Sequence, residues 1–338
     1  MMKHIVHILA SSGTGGMESH VQTLCNALAT RFRVTLIVPV VTPGLSSAVQ
    51  VIALKSLAGS RWNPLLHIRL WRLLKALSPD IVHVHGSKAA QLVASNRYAW
   101  VKRMATVHGI KKRSSFLRGF NHVIAVSEAV KLQLQSQGVA SAISVILNGI
   151  VPFSAPSATQ RNRGTVRPYS VLAIGRLAPV KGFDLLIRAW PLVQEARLRV
   201  AGDGPERSHL LSLIEANGLR DRIELLGHRD DIRDLLASSD LMVISSLREG
   251  MPLVLAEALH AHCPVVSTAV GGMVGFLPEC ALTPSGDPAA FAQKINEALS
   301  DLPTFSHAFD GLYDFAERNM TVDAMAQQTL MIYQGTLD

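Results

Sequence analysis

The chain has 338 residues, 48% of them hydrophobic and 17% charged, which excludes a disordered chain and exceeds what one core normally organises, so two domains are expected. Its three cysteines, Cys25, Cys263 and Cys280, are too few and too scattered for a disulfide framework, and no apolar run reaches the roughly 20 residues of a membrane span. The net charge of +8 is unevenly held: residues 1–150 carry 17 Lys and Arg against three acids, the remainder 16 against 22, so the first half is expected to face an anionic partner.

In chain order, "HIVHILA" (4–10) predicts a buried strand, "SSGTGG" a loop, "MESHVQTLCNALAT" a helix and "RVTLIVPV" a second strand. "PDIVHVHG" (79–86), "RMATVHG" (103–109), "HVIAVS" (122–127) and "ISVILNGI" (143–150) continue as short apolar strands separated by helix-length segments, the pattern of a parallel sheet covered on both faces. Residues 151–168 lose all periodicity and are rich in Pro, Ser and Arg, which predicts a linker. The alternation then restarts with "YSVLAIG", "RLRVAGDG", "RIELLG", "LMVISS" and "CPVVST", with helices expected from Phe183, Pro205, Asp231 and Pro252. The last segment places Val322, Met325, Thr329 and Tyr333 on one face of a helix that must dock somewhere. The expected divisions are 1–150, a linker 151–168, a second doubly wound domain 169–316 and a closing segment 317–338. Two such sheets in tandem place their ligand crevices at the carboxyl ends of the strands.

Several stretches carry chemistry. The loop Gly13–Gly16 opens a helix and offers backbone N–H groups to an anion, or is a plain tight turn. It is a poor dinucleotide fingerprint, because Glu18 occupies the third glycine position and the second strand ends without an acid. Arg176 and Lys181 in "GRLAPVKG" flank a strand–helix junction, where two cations and a helix end suit a diphosphate, unless they are solvated surface charges. In "EGMPLVLAEAL" Glu249 falls in a loop, Pro252 marks the first helical position, and Glu257 lies a turn and a half into the helix. Either the two acids grip hydroxyls at the ends of a ligand, or Glu249 caps the helix and Glu257 forms an ion pair. His83 and His85 in "HVH" share a strand face, but no third ligand with zinc-like spacing accompanies them. No two aspartates stand two apart, which argues against an Asp-x-Asp metal site.

Taken together, "GTGGMESHV", "PDIVHVHG", "TVHG", "VSEAV", "VILNGI", "GRLAPVKG", "VAGDGPER", "LLGHRDDI", "EGMPLVLAEAL" and "VVSTAVGG" resemble, in order, the motifs of retaining GT-B glycosyltransferases of the group 1 family, with its Glu-x7-Glu signature. The resemblance runs over most of the chain. It implies a GT-B fold of two Rossmann-like domains facing a cleft, with a last helix crossing back to the first domain. It implies transfer of a sugar from a nucleoside diphosphate donor to a glycan or lipid-linked glycan, without a metal or other cofactor and with retention, as in lipopolysaccharide core or other cell-surface polysaccharide synthesis. Arg176 and Lys181 would hold the diphosphate, Glu249 with Gly250, Met251, Pro252 and Leu253 the donor sugar, and Glu257 the ribose. Gly15 and Gly16 would approach the phosphates, His108 the sugar near the reacting carbon, and Asp203 and Arg229 the surroundings of the base. After Gly272 the chain departs from the family's frequent Pro-Glu pair, with "MVGF" instead, which puts loop 271–276 in doubt as a donor contact. Competing readings are other chemistry on the same fold, such as an epimerase or phosphorylase, or a non-catalytic binding protein.

The basic half predicts an acceptor side on an anionic membrane. In 61–77, Leu66, Leu70, Leu73, Leu74 and Leu77 form a core face, while Arg69, Arg72 and Lys75 with Ile68 and Trp71 lie opposite. Lys111, Lys112, Arg113 and Arg118 are interleaved with Phe116 and Leu117 nearby, and Glu18 is assigned to the same side. The expected place is the cytoplasm, peripheral at the inner membrane face. No nucleic-acid partner is expected, since no aromatic reading motif is present.

Overall fold

The computed structural model describes residues 2–11, 13, 15–41, 43–153 and 167–337, so most of the expected linker lies outside the described residues. Contacts divide the chain into two units, Met1–Ile150 with Asn319–Asp338, and Val151–Arg318.

The first unit is built on strands β1 (His4–Leu9), β2 (Arg33–Val38), β3 (Val49–Ala53), β4 (Ile81–His85), β5 (Lys102–Val107), β6 (His122–Ala125) and β7 (Ala142–Val145). They form a seven-stranded sheet in the order β3-β2-β1-β4-β5-β6-β7, with every neighbouring pair parallel. Such a sheet buries both faces, which is why β1 and β4 read as continuous buried runs. Helices α1 (Gly16–Leu28), α2 (Pro64–Leu77), α3 (Gly86–Val93) and α4 (Glu128–Ser136) cover it. The start of α2 is set by Pro64 at its first turn and by Asn63, whose side chain accepts from the Leu65 N–H at 2.9 Å. The strand order reverses between β1 and β4, and in open α/β sheets such a switch point, at the carboxyl ends, is where ligands bind.

The second unit contains β8 (Tyr169–Ile174), β9 (Ala196–Ala201), β10 (Ile223–Gly227), β11 (Leu241–Ile244), β12 (Val265–Thr268) and β13 (Leu282–Thr283). Its order is β10-β9-β8-β11-β12-β13, again parallel, with the switch point between β8 and β11. Helices α5 (Phe183–Ala189), α6 (Arg207–Ala216), α7 (Ile232–Ala237), α8 (Leu253–His260), α9 (Pro288–Ser300), α10 (Leu302–His307) and α11 (Asp310–Asn319) pack on it around Leu186, Trp190, Val243 and Phe291.

The last helix, α12 (Val322–Leu337), belongs to the first unit. It lies along α1, burying Met325, Thr329 and Tyr333, while Val322 is only half-buried. Met325 and Tyr333 join Val21, Leu24, Cys25 and Leu28 of α1 in one core. Where the chain returns, Gly149 lies so close to Thr321 that a Cβ would stand 2.1 Å from the Thr321 carbonyl oxygen. Only glycine permits that approach.

Candidate active site

In the second unit the two switch-point loops are tied together by backbone. After β8 the chain makes a single turn over Pro179–Lys181 and reaches Gly182 at φ +63°. A Cβ at Gly182 would lie 2.2 Å from the Ser245 carbonyl oxygen, so both the left-handed backbone and the close packing require glycine. The Ser245 hydroxyl donates to the Lys181 carbonyl at 3.0 Å, and the Leu247 N–H donates to the Val180 carbonyl at 2.9 Å. This fixes Lys181 against the loop that follows β11.

Its ammonium donates to Glu249 Oε1 at 2.6 Å, and the Ser246 hydroxyl donates to the same oxygen at 2.7 Å. Behind them Thr268 Oγ1 donates to the Ser246 carbonyl at 2.5 Å. The pair is sheltered, with the Lys181 and Glu249 side chains 25% and 11% exposed. Among the described residues the second Glu249 oxygen has no hydrogen-bond partner, and exposed Arg176 makes no ion pair. Lys181, Ser246, Glu249, Ile174 and Val254 line a small pocket.

The second acid stands in a different environment. Helix α8 begins at Leu253, with Pro252 as the residue that caps it, one position earlier in role than the sequence suggests. No side chain caps this helix, so Glu249 is not a cap. Glu257 is half-buried and its side chain makes no ion pair or hydrogen bond among the described residues. Burial raises its carboxyl above the usual range, partly offset by the charge of Arg233. Neither ordinary structural role therefore explains these acids. Gly250, Met251 and Pro252 are buried between them and Leu253 is half-buried.

The remaining assignments in this unit fall on loops. Asp203 is exposed and its side chain accepts from the Gly204 N–H at 2.7 Å. Arg229 forms a two-pronged ion pair with Asp231, one contact being 2.7 Å, and this pair steadies the entry to α7. In loop 271–276 Met273 is buried and Val274 is exposed.

In the first unit Gly15 and Gly16 stand at the start of α1, but Glu18 does a different job from the one expected. Its Oε2 accepts from the Gly15 N–H at 3.0 Å and its Oε1 accepts from the Ser11 hydroxyl. The acid closes the glycine loop onto its own helix, a use natural for Glu at the third helical position, so both oxygens are already engaged.

His108 follows β5 and, half-buried itself, stands at the edge of four buried imidazoles. His7 of β1 pairs in register with His83 of β4, so both point to one face, and His85 lies two positions on. His7 Nδ1 lies 3.0 Å from His85 Nε2, and His85 Nδ1 lies 3.4 Å from His108 Nε2. His20 of α1 meets the His108 ring edge-on at 4.6 Å between centroids. His83 Nδ1 lies 2.5 Å from the Tyr333 hydroxyl, which is also 3.4 Å from His7 Nε2. Burial pushes His7 down to about 3 and His20 to about 4, and it pushes His83, His85 and His108 well below the usual imidazole range. All five are neutral at pH 7.

The expectation that His83 and His85 lack a third ligand-capable neighbour is overturned. His7 with His83 and His85, and His20 with His85 and His108, are close enough to share an ion. The nitrogens of His7 and His85 that face each other are nevertheless at hydrogen-bond distance, and the Tyr333 hydroxyl fills the space between His7 and His83. His7 was missed because sequence spacing does not reveal which strands become neighbours.

On α2, Leu66, Leu70 and Leu74 are buried, whereas Leu73 and Leu77 are half-buried. Arg69 and Arg72 are exposed and Trp71 is half-buried. Sequence reasoning missed Trp62 and Leu65, which are 77% and 60% exposed beside Ile68. Lys112, Arg113 and Arg118 are exposed and Lys111 is half-buried, but Leu117 is buried in the core and does not alternate with them at the surface. No helix among the described residues is long and apolar enough to cross a membrane.

Comparison with known proteins places this geometry. Residues 14–152 match the family described as Glycosyltransferase Family 4, and residues 168–301 match Glycosyl transferases group 1. The chain is 28% identical over 291 residues to the phosphatidylinositol N-acetylglucosaminyltransferase GPI3 subunit of Saccharomyces cerevisiae, covering 75% of this chain and 63% of that one. The chain thus spans less than two thirds of that relative. It is 26% identical over 242 residues to the lipopolysaccharide core biosynthesis glycosyltransferase LpsE of Rhizobium meliloti, covering 70% of each. Anabaena Alr3699/HepE, solved in complex with UDP-glucose, superposes with a TM-score of 0.80 at 21% identity, over 99% of this chain and 100% of that one. The fold is GT-B, and the chain carries a Glycosyltransferase Family 4 domain over residues 14–152 followed by a Glycosyl transferases group 1 domain over residues 168–301.

Proposed function

We propose that this protein transfers a sugar from a nucleoside diphosphate sugar to a glycan or lipid-linked glycan acceptor, with retention and without a metal. The reading rests on the Lys181–Glu249 pair with Glu257 beyond it, a lysine and two acids sheltered at a switch point of the sheet. Breaking the glycosyl–phosphate bond builds negative charge on the departing diphosphate. Arg176, which makes no ion pair among the described residues, and Lys181, with two of its three protons free of Glu249, supply donors for that charge. The open oxygen of Glu249 accepts from a sugar hydroxyl, and Glu257 accepts from the ribose. The leaving phosphate itself serves as base for the acceptor hydroxyl. Asp203 and Arg229 lie on loops that read the base.

UDP- and lipid-linked chemistry in the relatives supports a donor of the UDP-sugar class and an acceptor in lipopolysaccharide core or another surface glycolipid. The exposed face of α2 and the turn before it, with Trp62, Leu65 and Ile68 among Arg61, Arg69 and Arg72, suit an anionic membrane surface and support the reading of a peripheral enzyme at the inner face of the cytoplasmic membrane. The test is a thermal-shift and transfer screen with UDP-, GDP-, ADP- and TDP-sugars in the presence and absence of EDTA. Stabilisation by one base class and EDTA-insensitive transfer are expected. Full loss of transfer in EDTA, restored by a divalent ion, refutes metal independence.

A further inference from the structure

The histidine cluster of the first unit can be followed atom by atom. Thr106 Oγ1 lies 2.8 Å from His83 Nε2, and His83 Nδ1 lies 2.5 Å from the Tyr333 hydroxyl. The Tyr333 hydroxyl lies 3.4 Å from His7 Nε2, His7 Nδ1 lies 3.0 Å from His85 Nε2, and His85 Nδ1 lies 3.4 Å from His108 Nε2. Each ring between the ends uses one nitrogen for each neighbour and the Tyr333 hydroxyl serves both of its own, so the contacts form one unbranched chain from Thr106 to His108. Thr106, His83, Tyr333, His7 and His85 are all buried.

Because the imidazoles are neutral, each holds one proton and one lone pair, and each hydroxyl donates once. The chain therefore has only two complete arrangements, with every proton pointing towards His108 or every proton pointing away from it. In the first, Thr106 donates to His83, His83 to Tyr333, Tyr333 to His7, His7 to His85, and His85 to His108 Nε2. His108 then carries its proton on Nδ1. In the second, all five bonds reverse, His108 Nδ1 becomes a lone pair, and the Thr106 hydroxyl proton is left without an acceptor in the protein, since His83 is the only hydrogen-bond partner of that buried oxygen among the described residues. A buried unpaired donor is costly enough to favour the first arrangement by about tenfold or more.

We propose that Thr106, His83, Tyr333, His7 and His85 are positioning residues that lock His108 as the Nδ1–H tautomer, so that His108 offers a hydrogen-bond donor, not a base, to an oxygen of the bound sugar. The function of the lock rests on the glycosyltransferase reading, whereas the lock itself does not. It assigns a purpose to the depth at which Tyr333 of α12 is buried and to His7, neither of which the donor-binding residues explain. It also makes the closing helix a part of the apparatus that prepares a ligand-contacting ring, since Tyr333 is the one link in the relay that does not come from the sheet.

The experiment is nitrogen NMR of the full-length, ligand-free protein with labelled histidine, the His108 signals being assigned by their loss in His108→Asn. Wild type is expected to show His108 protonated at Nδ1 by about tenfold or more over the other tautomer. Tyr333→Phe keeps the ring and removes one link, and the minor His108 tautomer is expected to rise several-fold. Thr106→Val removes the hydroxyl that gives the chain its direction and is expected to do the same, while Thr106→Ser restores the wild-type spectrum. Circular dichroism and melting of each variant separate a tautomer change from unfolding. A wild-type His108 protonated at Nε2, tautomers unmoved in both Tyr333→Phe and Thr106→Val, or stoichiometric zinc retained by the purified protein would each overturn the relay. Absence of sugar transfer by wild type would instead sink the functional reading and leave the tautomer result standing.

Discussion

Both switch points of this protein gather polar groups at the ends of parallel strands, yet they do so in opposite electrostatic styles. The second unit keeps a full ion pair, Lys181 against Glu249, near enough to solvent for its charge to be tolerated, with the more deeply set Glu257 apart from it. The first unit buries four imidazoles and a phenol, with a fifth, half-buried imidazole at their edge, and none of them is charged at pH 7. A departing diphosphate needs countercharge, and only the charged style of the second unit supplies it. Ordered neutral rings supply direction instead, because a hydrogen-bond chain can point a proton without paying the desolvation of an ion.

The sharpest way to break this contrast is at the charged pair. Lys181→Ala is expected to lower turnover by at least ~100-fold, the scale on which a transition-state donor acts, with a smaller change in KM. Near-normal turnover would remove Lys181 from the chemistry. Next in size is acid stability. Because the folded pKa values of His7 and His20 lie at about 3 and about 4, below the unfolded value of 6.5, only the unfolded chain takes up protons as the pH falls below 6.5. Stability is full above pH 6.5 and drops towards pH 4 by about 1.4 kcal/mol per pH unit for each such histidine. Urea midpoints at pH 7, 5.5 and 4.5 test this, and a flat profile would show that the cluster is wet and charged.

Smaller effects sharpen the comparison. Reversing charge on α2 with Arg69→Glu and Arg72→Glu is expected to reduce sedimentation with anionic liposomes several-fold and to leave neutral liposomes unaffected. Equal binding to both before mutation would remove the membrane reading. Glu257→Gln is expected to weaken nucleotide affinity by about tenfold, the loss of one charged hydrogen bond, while raising the melting temperature of the free protein by about 2 °C. The rise follows from the raised carboxyl of Glu257, whose burial as an anion works against folding.

How much of this was legible in sequence differs between the units for the same physical reason. Isolated charges in an apolar stretch announce themselves, so Lys181, Glu249 and Glu257 stand out in one dimension. Histidines in buried strands do not, since their meeting depends on the β3-β2-β1-β4 order that sets His7 beside His83. The short, half-exposed β3 has no clear period and went unread, as did α9, α10 and α11, which follow the last recognised strand. Leu117 looked like part of a surface stripe because a short turn, unlike a helix, gives no period by which to sort buried from exposed. Glu18 was assigned to the acceptor side because a glycine loop conceals which side chain closes it. Arg103, one of the 17 cations of residues 1–150, is spent inside, donating to the carbonyls of Val93, Ala94, Ser95 and Gly119.

The most direct test of the central claim is a structure of the protein with a sugar nucleotide bound. The account predicts phosphate oxygens within hydrogen-bond reach of both Arg176 and Lys181, with the ribose on Glu257 and a sugar hydroxyl on Glu249. A diphosphate bound away from positions 176 and 181 would contradict it.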